Sequence, residues 1–198
     1  MLFLIFLSAI SLTFSQRNET IFLPIKTLDR QSWNTAKLTK IGAFGLLRKA
    51  RTNVSAHLHT AVDFKRPNKN YFNEPIYSIS VGTVISLRND GPFAQLIIEH
   101  KNYWTVYEHI AGITVSVGEQ VNSKKPIARF MTKKELNSFG WQFDHLHFEI
   151  LKRKPVPLKQ NIKTPHRFYR AYTLECFTDS DLDKNYFYPP EFFRTHWN

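Results

Sequence analysis

Between Glu74 and Val121 the chain carries a series of short apolar segments separated by turn residues, and this pattern limits the folds that it can adopt. The segments EPIYSISVGTVISL and AQLIIEH are rich in isoleucine and valine, and the turn residues RNDGP lie between them. YWTVYEHI and ITVSVGEQV follow, joined at Ala111 and Gly112. Short β-branched runs with turns between them are typical of antiparallel strands. We therefore predict a mainly β fold, built as one domain with an antiparallel sheet or a sandwich-like arrangement.

Helical patterns are weak in comparison. No stretch shows a long apolar stripe at helical spacing, and only TKKELNSF (Thr132–Phe139) predicts a short helix. After Leu151 the sequence is dense in tyrosine, phenylalanine and proline, which predicts an extended or loosely helical C-terminal extension. A length of 198 residues suits one compact domain with peripheral segments.

The N-terminus, MLFLIFLSAISLTFSQ, is almost wholly apolar from Leu2 to Phe14. This run is shorter than the ~20 residues that a membrane-spanning helix needs, and Thr13 and Ser15 suit the small-residue positions of a signal peptidase site. We predict a signal peptide over residues 1–15 and an exported protein that is periplasmic, attached to the cell envelope or secreted. No transmembrane helix is expected after cleavage. An uncleaved anchor is the alternative, because no lysine or arginine precedes the apolar run.

The chain is strongly basic, with 27 lysines and arginines against 16 acidic residues and a net charge of +11. Such a charge favours an anionic partner such as nucleic acid, a lipid surface or an acidic wall polymer. No nucleic-acid-binding motif or basic helix is present, and the basic residues are spread along the chain, so nucleic acid is not expected. An anionic wall polymer fits the charge. The alternative is a basic surface that only keeps the protein soluble.

The triplet HLH occurs twice, in SAHLHTAVDF (Ser55–Phe64) and in DHLHFEI (Asp144–Ile150). In both segments polar and apolar residues alternate with a period of two, which predicts strands that turn their imidazoles to one face. Residues i and i+2 of a strand lie roughly 7 Å apart on the same face. Two such imidazoles can flank one metal-bound group, one as a ligand and the other as a neighbouring base.

Other residues near the triplets complete a possible metal site. Catalytic zinc takes three protein ligands from histidine, aspartate, glutamate or cysteine and keeps one open position. His59 and Asp63 form a His-x-x-x-Asp pair, and the second triplet offers a third nitrogen. Tyr107-x-His109 adds one more imidazole. A surface position on a strand is the alternative interpretation for any single histidine, but it explains the whole set less well.

These motifs, in this order, resemble those of the lysostaphin-type zinc endopeptidases, which cut peptide bonds in bacterial peptidoglycan. The likeness runs from about Ile41 to Leu151 and includes IGAFGLLR, HTAVDF, IIEHKNYWTVYEHI, VSVGEQV and HLHFEI. It implies a zinc peptidase domain over residues 41–153, with a groove that holds the metal. Residues 16–40 would then form an N-terminal segment and residues 154–198 a C-terminal extension.

The resemblance also implies the role of each candidate residue. Zn²⁺ would be bound by His59, Asp63 and His147, and the catalytic histidines would be His109 and His145. The implied function is an exported zinc metalloendopeptidase that hydrolyses cross-link or stem peptides of peptidoglycan with a zinc-activated water and two assisting histidines. The alternative is a catalytically silent family member that binds peptidoglycan or regulates another wall hydrolase.

Two neighbours of these residues carry separate expectations. His57, the first histidine of the first triplet, matches no family position, so we predict that it lies near the metal without binding it. Asp144 precedes His145, and its negative charge predicts a raised pKa for that imidazole.

Overall fold

The computed structural model of the chain describes residues 20–197. The signal peptide predicted over residues 1–15 lies outside these residues and stays a prediction. Within residues 20–197, no helix is both long and apolar enough to cross a membrane.

The apolar segments form an antiparallel sheet, as their pattern predicts. The strands are β1 (Leu47–Arg48), β2 (His57–Leu58), β3 (Val62–Lys65), β4 (Pro75–Tyr77), β5 (Gly82–Arg88), β6 (Gln95–Glu99), β7 (Trp104–Glu108), β8 (Gln120–Val121), β9 (Pro126–Arg129), β10 (His145–Leu151), β11 (Val156–Pro157) and β12 (Tyr169–Arg170). The central sheet has the order β3-β10-β7-β6-β5-β8, and every neighbouring pair is antiparallel. β1 pairs with β2, β4 with β9 and β11 with β12. The prediction of a mainly β fold is confirmed.

Among residues 20–197, three α-helices lie outside the sheet: α1 (Lys133–Phe139), α2 (Asp179–Asn185) and α3 (Pro189–His196). α1 is the helix predicted from TKKELNSF. It begins with a capping box, in which the Thr132 hydroxyl accepts from the Glu135 N–H and the Glu135 carboxylate accepts from the Thr132 N–H. α2 also begins with a capping box, formed by Thr178 and Asp181. The C-terminal extension is therefore more regular than its proline and aromatic content indicates.

The first HLH segment does not form the single strand that its alternation predicts. It forms β2 and β3 with a break between them, and residues 59–64 are all buried. The reason is that β2 and β3 pair with different partners, β1 and β10. In addition, the Leu58 N–H donates to the carbonyl of Cys176 in the C-terminal extension at 2.8 Å, so the side of β2 away from β1 is also covered.

Both terminal segments contribute to the core of the sheet domain. Ile21, Leu23 and Ile25 are at most 1% exposed and belong to the same hydrophobic cluster as the sheet residue Phe148. Phe193 of α3 joins this cluster, and the Trp197 indole donates to the carbonyl of Ile21 at 2.8 Å. The N-terminal segment and the C-terminal extension thus pack on the sheet and on each other. The domain boundaries proposed from the sequence stay a prediction.

We predict that Phe193→Ala lowers the free energy of unfolding by about 3–5 kcal/mol, the usual cost of removing a buried phenylalanine ring. Phe193 is 0% exposed, and its ring centroid lies 5.8 Å from that of Trp33 and 6.2 Å from that of Phe148. Denaturant unfolding measures the change. Phe177→Ala, at a position that is 54% exposed, is the control and should cost no more than about 0.5 kcal/mol. Equal stabilities of the two variants would contradict the packing of α3 on the sheet.

Candidate metal centre

The pairing of β3 with β10 brings two of the predicted ligands together. Asp63 and His147 lie directly opposite each other in this antiparallel pair, and facing residues of such a pair direct their side chains to the same side. His59 lies four residues before Asp63, just after β2. The chain also holds Asp63 through its backbone, because the Asp63 N–H donates to the Gly42 carbonyl at 2.9 Å. An added Cβ on Gly42 would lie 2.6 Å from the Asp63 Cβ, so only glycine fits there.

The three predicted ligands converge on one point. His59 Nε2 lies 3.1 Å from Asp63 Oδ1, and Asp63 Oδ1 lies 3.1 Å from His147 Nδ1. The two ring nitrogens are 3.3 Å apart. In a tetrahedral zinc site with bonds of about 2.0–2.1 Å, neighbouring ligand atoms lie about 3.3 Å apart. The triangle of two imidazole nitrogens and one carboxylate oxygen therefore fits zinc in both size and chemistry.

Each ligand is fixed by a contact of its other polar atom. His59 Nδ1 donates to the Ala43 carbonyl at 2.9 Å, and His147 Nε2 donates to Glu149 Oε1 at 3.2 Å. With these contacts, the opposite ring nitrogen of each histidine faces the centre, where it can bind a metal once it carries no proton. Arg48 Nη2 donates to Asp63 Oδ2 at 3.0 Å, so that Oδ1 faces the two imidazoles. Partners of this kind orient metal ligands and select the histidine tautomer.

Glu149 links the centre to the C-terminal extension. It is fully buried, and its Oε1 accepts from Thr60 Oγ1 at 2.5 Å and from Thr173 Oγ1 at 2.9 Å. Glu149 and Arg48 are not among the site residues predicted from the sequence motifs. A signal for Glu149 existed, because it continues the alternation of His145 and His147 along β10. Thr173 carries no such signal, since only the fold brings it to the centre.

The two predicted catalytic histidines lie beside the ligands. The ring centroid of His109 is 4.8 Å from that of His145 and 5.9 Å from that of His147. His145 Nε2 lies 3.7 Å from Asp63 Oδ1. His109 follows β7 with a φ of 62°, which is uncommon for a non-glycine residue, and its Nδ1 donates to the Pro92 carbonyl at 2.6 Å. The structure thus gathers all five predicted site residues in one place.

A family comparison agrees with this arrangement. The model of peptidase family M23 matches residues 57–159, just over half of the chain. The chain belongs to peptidase family M23. The matched segment contains His59, Asp63, His109, His145 and His147, whereas the supporting residues Arg48 and Thr173 lie outside it. This match confirms the resemblance to lysostaphin-type endopeptidases that the sequence motifs indicate.

Solved structures resemble this M23 family member at low sequence identity. A zinc-containing peptidase from Vibrio cholerae is 27% identical, with a TM-score of 0.47, over 67% of this chain and 37% of that protein. The chain therefore spans little more than a third of the length of that peptidase. CbpA from L. salivarius REN is 15% identical, with a TM-score of 0.57, over 90% of this chain and 97% of that one. The solution structure of lysostaphin is 18% identical, with a TM-score of 0.50, over 82% and 52%. The last two likenesses show the fold. The comparison with curated proteins gives no match.

The charges around the centre of this M23 family member favour a cation. Burial alone would lower the pKa of His147, but its hydrogen bonds to Asp63 and Glu149 raise that pKa to about 10. Burial would raise the pKa of Asp63, yet the hydrogen bonds from His147 and His59 hold it well below the usual range. The site therefore stabilises a positive charge between two carboxylates. A divalent metal would supply that charge and displace the proton of His147.

The pKa values of His109 and His145 are lowered, whereas that of His147 is raised. Burial lowers the pKa of His109, and it lowers the pKa of His145 to about 4. Both rings are therefore neutral at neutral pH and can accept a proton. The prediction that Asp144 raises the pKa of His145 is wrong, because the Asp144 carboxylate is bound by Arg66 Nη2 at 2.6 Å and burial of the imidazole dominates.

His57 lies outside the triangle of ligand atoms. Its Nδ1 contacts the Ser55 carbonyl at 2.8 Å, and the side chain lines a neighbouring cavity. Within residues 20–197, the metal-ligand group consists of His59, Asp63 and His147.

We predict that the wild-type protein binds about one zinc ion per chain and that His59→Ala binds almost none, because two ligands do not hold zinc as three do. Metal analysis of purified, dialysed protein measures the content. His57→Ala is the matched control from the same HLH triplet and should keep its zinc. Stoichiometric zinc in His59→Ala, or its loss in His57→Ala, would refute the ligand assignment.

Proposed function

We propose that this M23 family member is an exported zinc endopeptidase that hydrolyses peptide bonds in bacterial peptidoglycan. The observation that carries the proposal is the triangle of ligand atoms, with edges of 3.1, 3.1 and 3.3 Å, beside two imidazoles that burial keeps neutral. Structural sites close all four zinc positions with protein ligands, whereas a site with three leaves room for reacting groups.

Zinc held by three protein ligands lowers the pKa of a bound water and polarises a carbonyl group. His109 donates its Nδ1–H to the Pro92 carbonyl, so its Nε2 is the nitrogen that can accept a proton from the attacking water or hydrogen-bond the reacting groups. His145 Nε2 lies 3.7 Å from the ligand atom Asp63 Oδ1, so this ring can also reach groups bound at the metal position. One ring takes up the proton, and the other stabilises the developing oxyanion or protonates the leaving amine.

The carboxylates of the site support a peptidase over a glycosidase. Glycosidases use a pair of carboxyl groups that flank the scissile bond. Here Asp63 is committed to the ligand triangle and Glu149 is fully buried against His147 and two threonines. The choice of peptidoglycan rests on the resemblance to lysostaphin-type endopeptidases. A net charge of +11 would assist adsorption to an anionic wall polymer, and the apolar N-terminus would direct export.

We expect the zinc-loaded protein to release new amino termini from purified wall material without new reducing sugar ends. Mass spectrometry of the digested wall, with labelling of the amino termini, identifies the cleaved bond. His59→Ala protein at the same concentration is the control for contaminating hydrolases. New reducing ends without amino termini would refute peptidase activity. Binding to the wall without any cleavage would favour the silent relative.

We predict that His145→Ala keeps its zinc but cleaves wall peptides about 10²–10⁴-fold more slowly. This is the usual cost of removing an acid–base or oxyanion group, and the three ligands remain in place. Initial rates and metal content are measured on the same preparation. His196→Ala, an exposed position in α3, is the control and should keep wild-type activity. Loss of metal from His145→Ala, or a rate near that of the wild type, would contradict its proposed role.

A further inference from the structure

A cavity of about 500 Å³ opens beside the metal centre. Its wall includes Phe93, whose ring centroid lies 6.0 Å from that of His109, and Glu108, which faces His147 in the β7–β10 pair. It also includes Thr173, the residue that donates to Glu149 behind the ligands. The cavity therefore lies next to residues that contact the centre.

Much of this cavity is built by parts of the chain outside the segment that matches the M23 family. Arg167, Arg170 and Glu175 come from the C-terminal extension, and Arg51 comes from the turn before β2. The family segment supplies Phe93 and Glu108, whereas these residues come from outside it. A ligand that fills the cavity would contact residues from both parts of the chain.

Two of the three arginines that line the cavity lack an acidic partner. Arg170 is paired with Glu175, and the Glu108 carboxylate accepts from the Gln95 amide at 2.5 Å. Arg51 and Arg167 have no carboxylate within ion-pair distance in the described part of the chain.

This arrangement suits a carboxylate ligand. A guanidinium binds a carboxylate through two parallel N–H···O bonds. Burial and the nearby charge of Arg88 lower the pKa of Arg167, against the opposing effects of Asp90 and Glu108. A carboxylate bound in the cavity would pair with the Arg167 guanidinium and offset the charge of Arg88.

We infer that this cavity is a binding site for a free carboxylate of the peptide substrate, held by Arg167 with support from Arg51. The inference rests on the proposed function, since the ligand is part of the peptide cleaved at the metal centre. The site would select acidic peptides, and it would bind either a side-chain carboxylate or a C-terminal one, because both present the same two oxygens.

The test is an NMR titration of the full chain, with and without zinc, using short alanine–glycine peptides. In one set, each peptide carries a single glutamate or, for comparison, a single glutamine, and the position of this residue is varied. In the other set, the peptide ends either in a free C-terminal carboxylate or in an amide. We expect the wild type to bind one acidic form about 10-fold more tightly than its amide partner, the scale of a hydrogen bond to a charged group. The set that shows the preference identifies the source of the carboxylate.

Arg167→Gln should remove this preference and leave binding of the amide peptides within about 2-fold of the wild type, since only the charged hydrogen bond is lost. Arg167→Lys keeps the charge but lacks the planar fork, so it should retain a reduced preference. Lys124→Gln, which removes one charge beyond the β8 edge of the sheet, is the matched control and should leave the preference unchanged. Thermal unfolding of each variant confirms that it is folded.

No preference for a carboxylate at any position or terminus, or an equal preference in wild type and Arg167→Gln, would overturn the inference. Because the zinc-free chain binds peptide without turnover, the outcome of that titration is separate from that of the proposed function. A chain that binds acidic peptides through Arg167 but cleaves no wall peptide would refute the peptidase proposal alone.

Discussion

The buried carboxylate of Asp63 is the group on which the rest of the site depends. A carboxylate that is only 3% exposed is stable as an anion only if charged or hydrogen-bonding partners surround it. Arg48 satisfies one oxygen, and His59 and His147 converge on the other. Because Gly42 packs against the Asp63 Cβ, the side chain has little freedom to turn away. The fold therefore stabilises a positive charge at one fixed point, as a cation site does.

The centre is not confined to the segment that identifies the family. His147 is held by Glu149, and Glu149 is held in turn by Thr173 of the C-terminal extension, so a chain of hydrogen bonds joins residues far apart in sequence. The Leu58 N–H also donates to the carbonyl of Cys176, which ties β2 to the same extension. A change in the extension can therefore alter both the orientation of a ligand and the cavity where the substrate would lie.

The sequence predicted those features that depend on local patterns. The alternation along β10 placed His145 and His147 correctly, and the capping residues Thr132 and Glu135 explain why α1 begins where TKKELNSF indicates. Features that depend on tertiary pairing were missed. Residues 54–64 alternate like one strand, yet β2 and β3 pair with different partners and residues 59–64 are all buried. The contact of Thr173 with the centre has no local pattern that could reveal it.

Burial alone does not decide the protonation of a histidine in this protein. His109, His145 and His147 lie within one cluster, and burial favours the neutral form of each. Only His147 lies between two carboxylates, and these reverse the effect and raise its pKa to about 10. Asp144 could have done the same for His145, but Arg66 binds its carboxylate instead. The arrangement of ion pairs thus separates an imidazole that holds a proton between two carboxylates from two that keep a free lone pair, which is the division that the proposed hydrolytic centre would require.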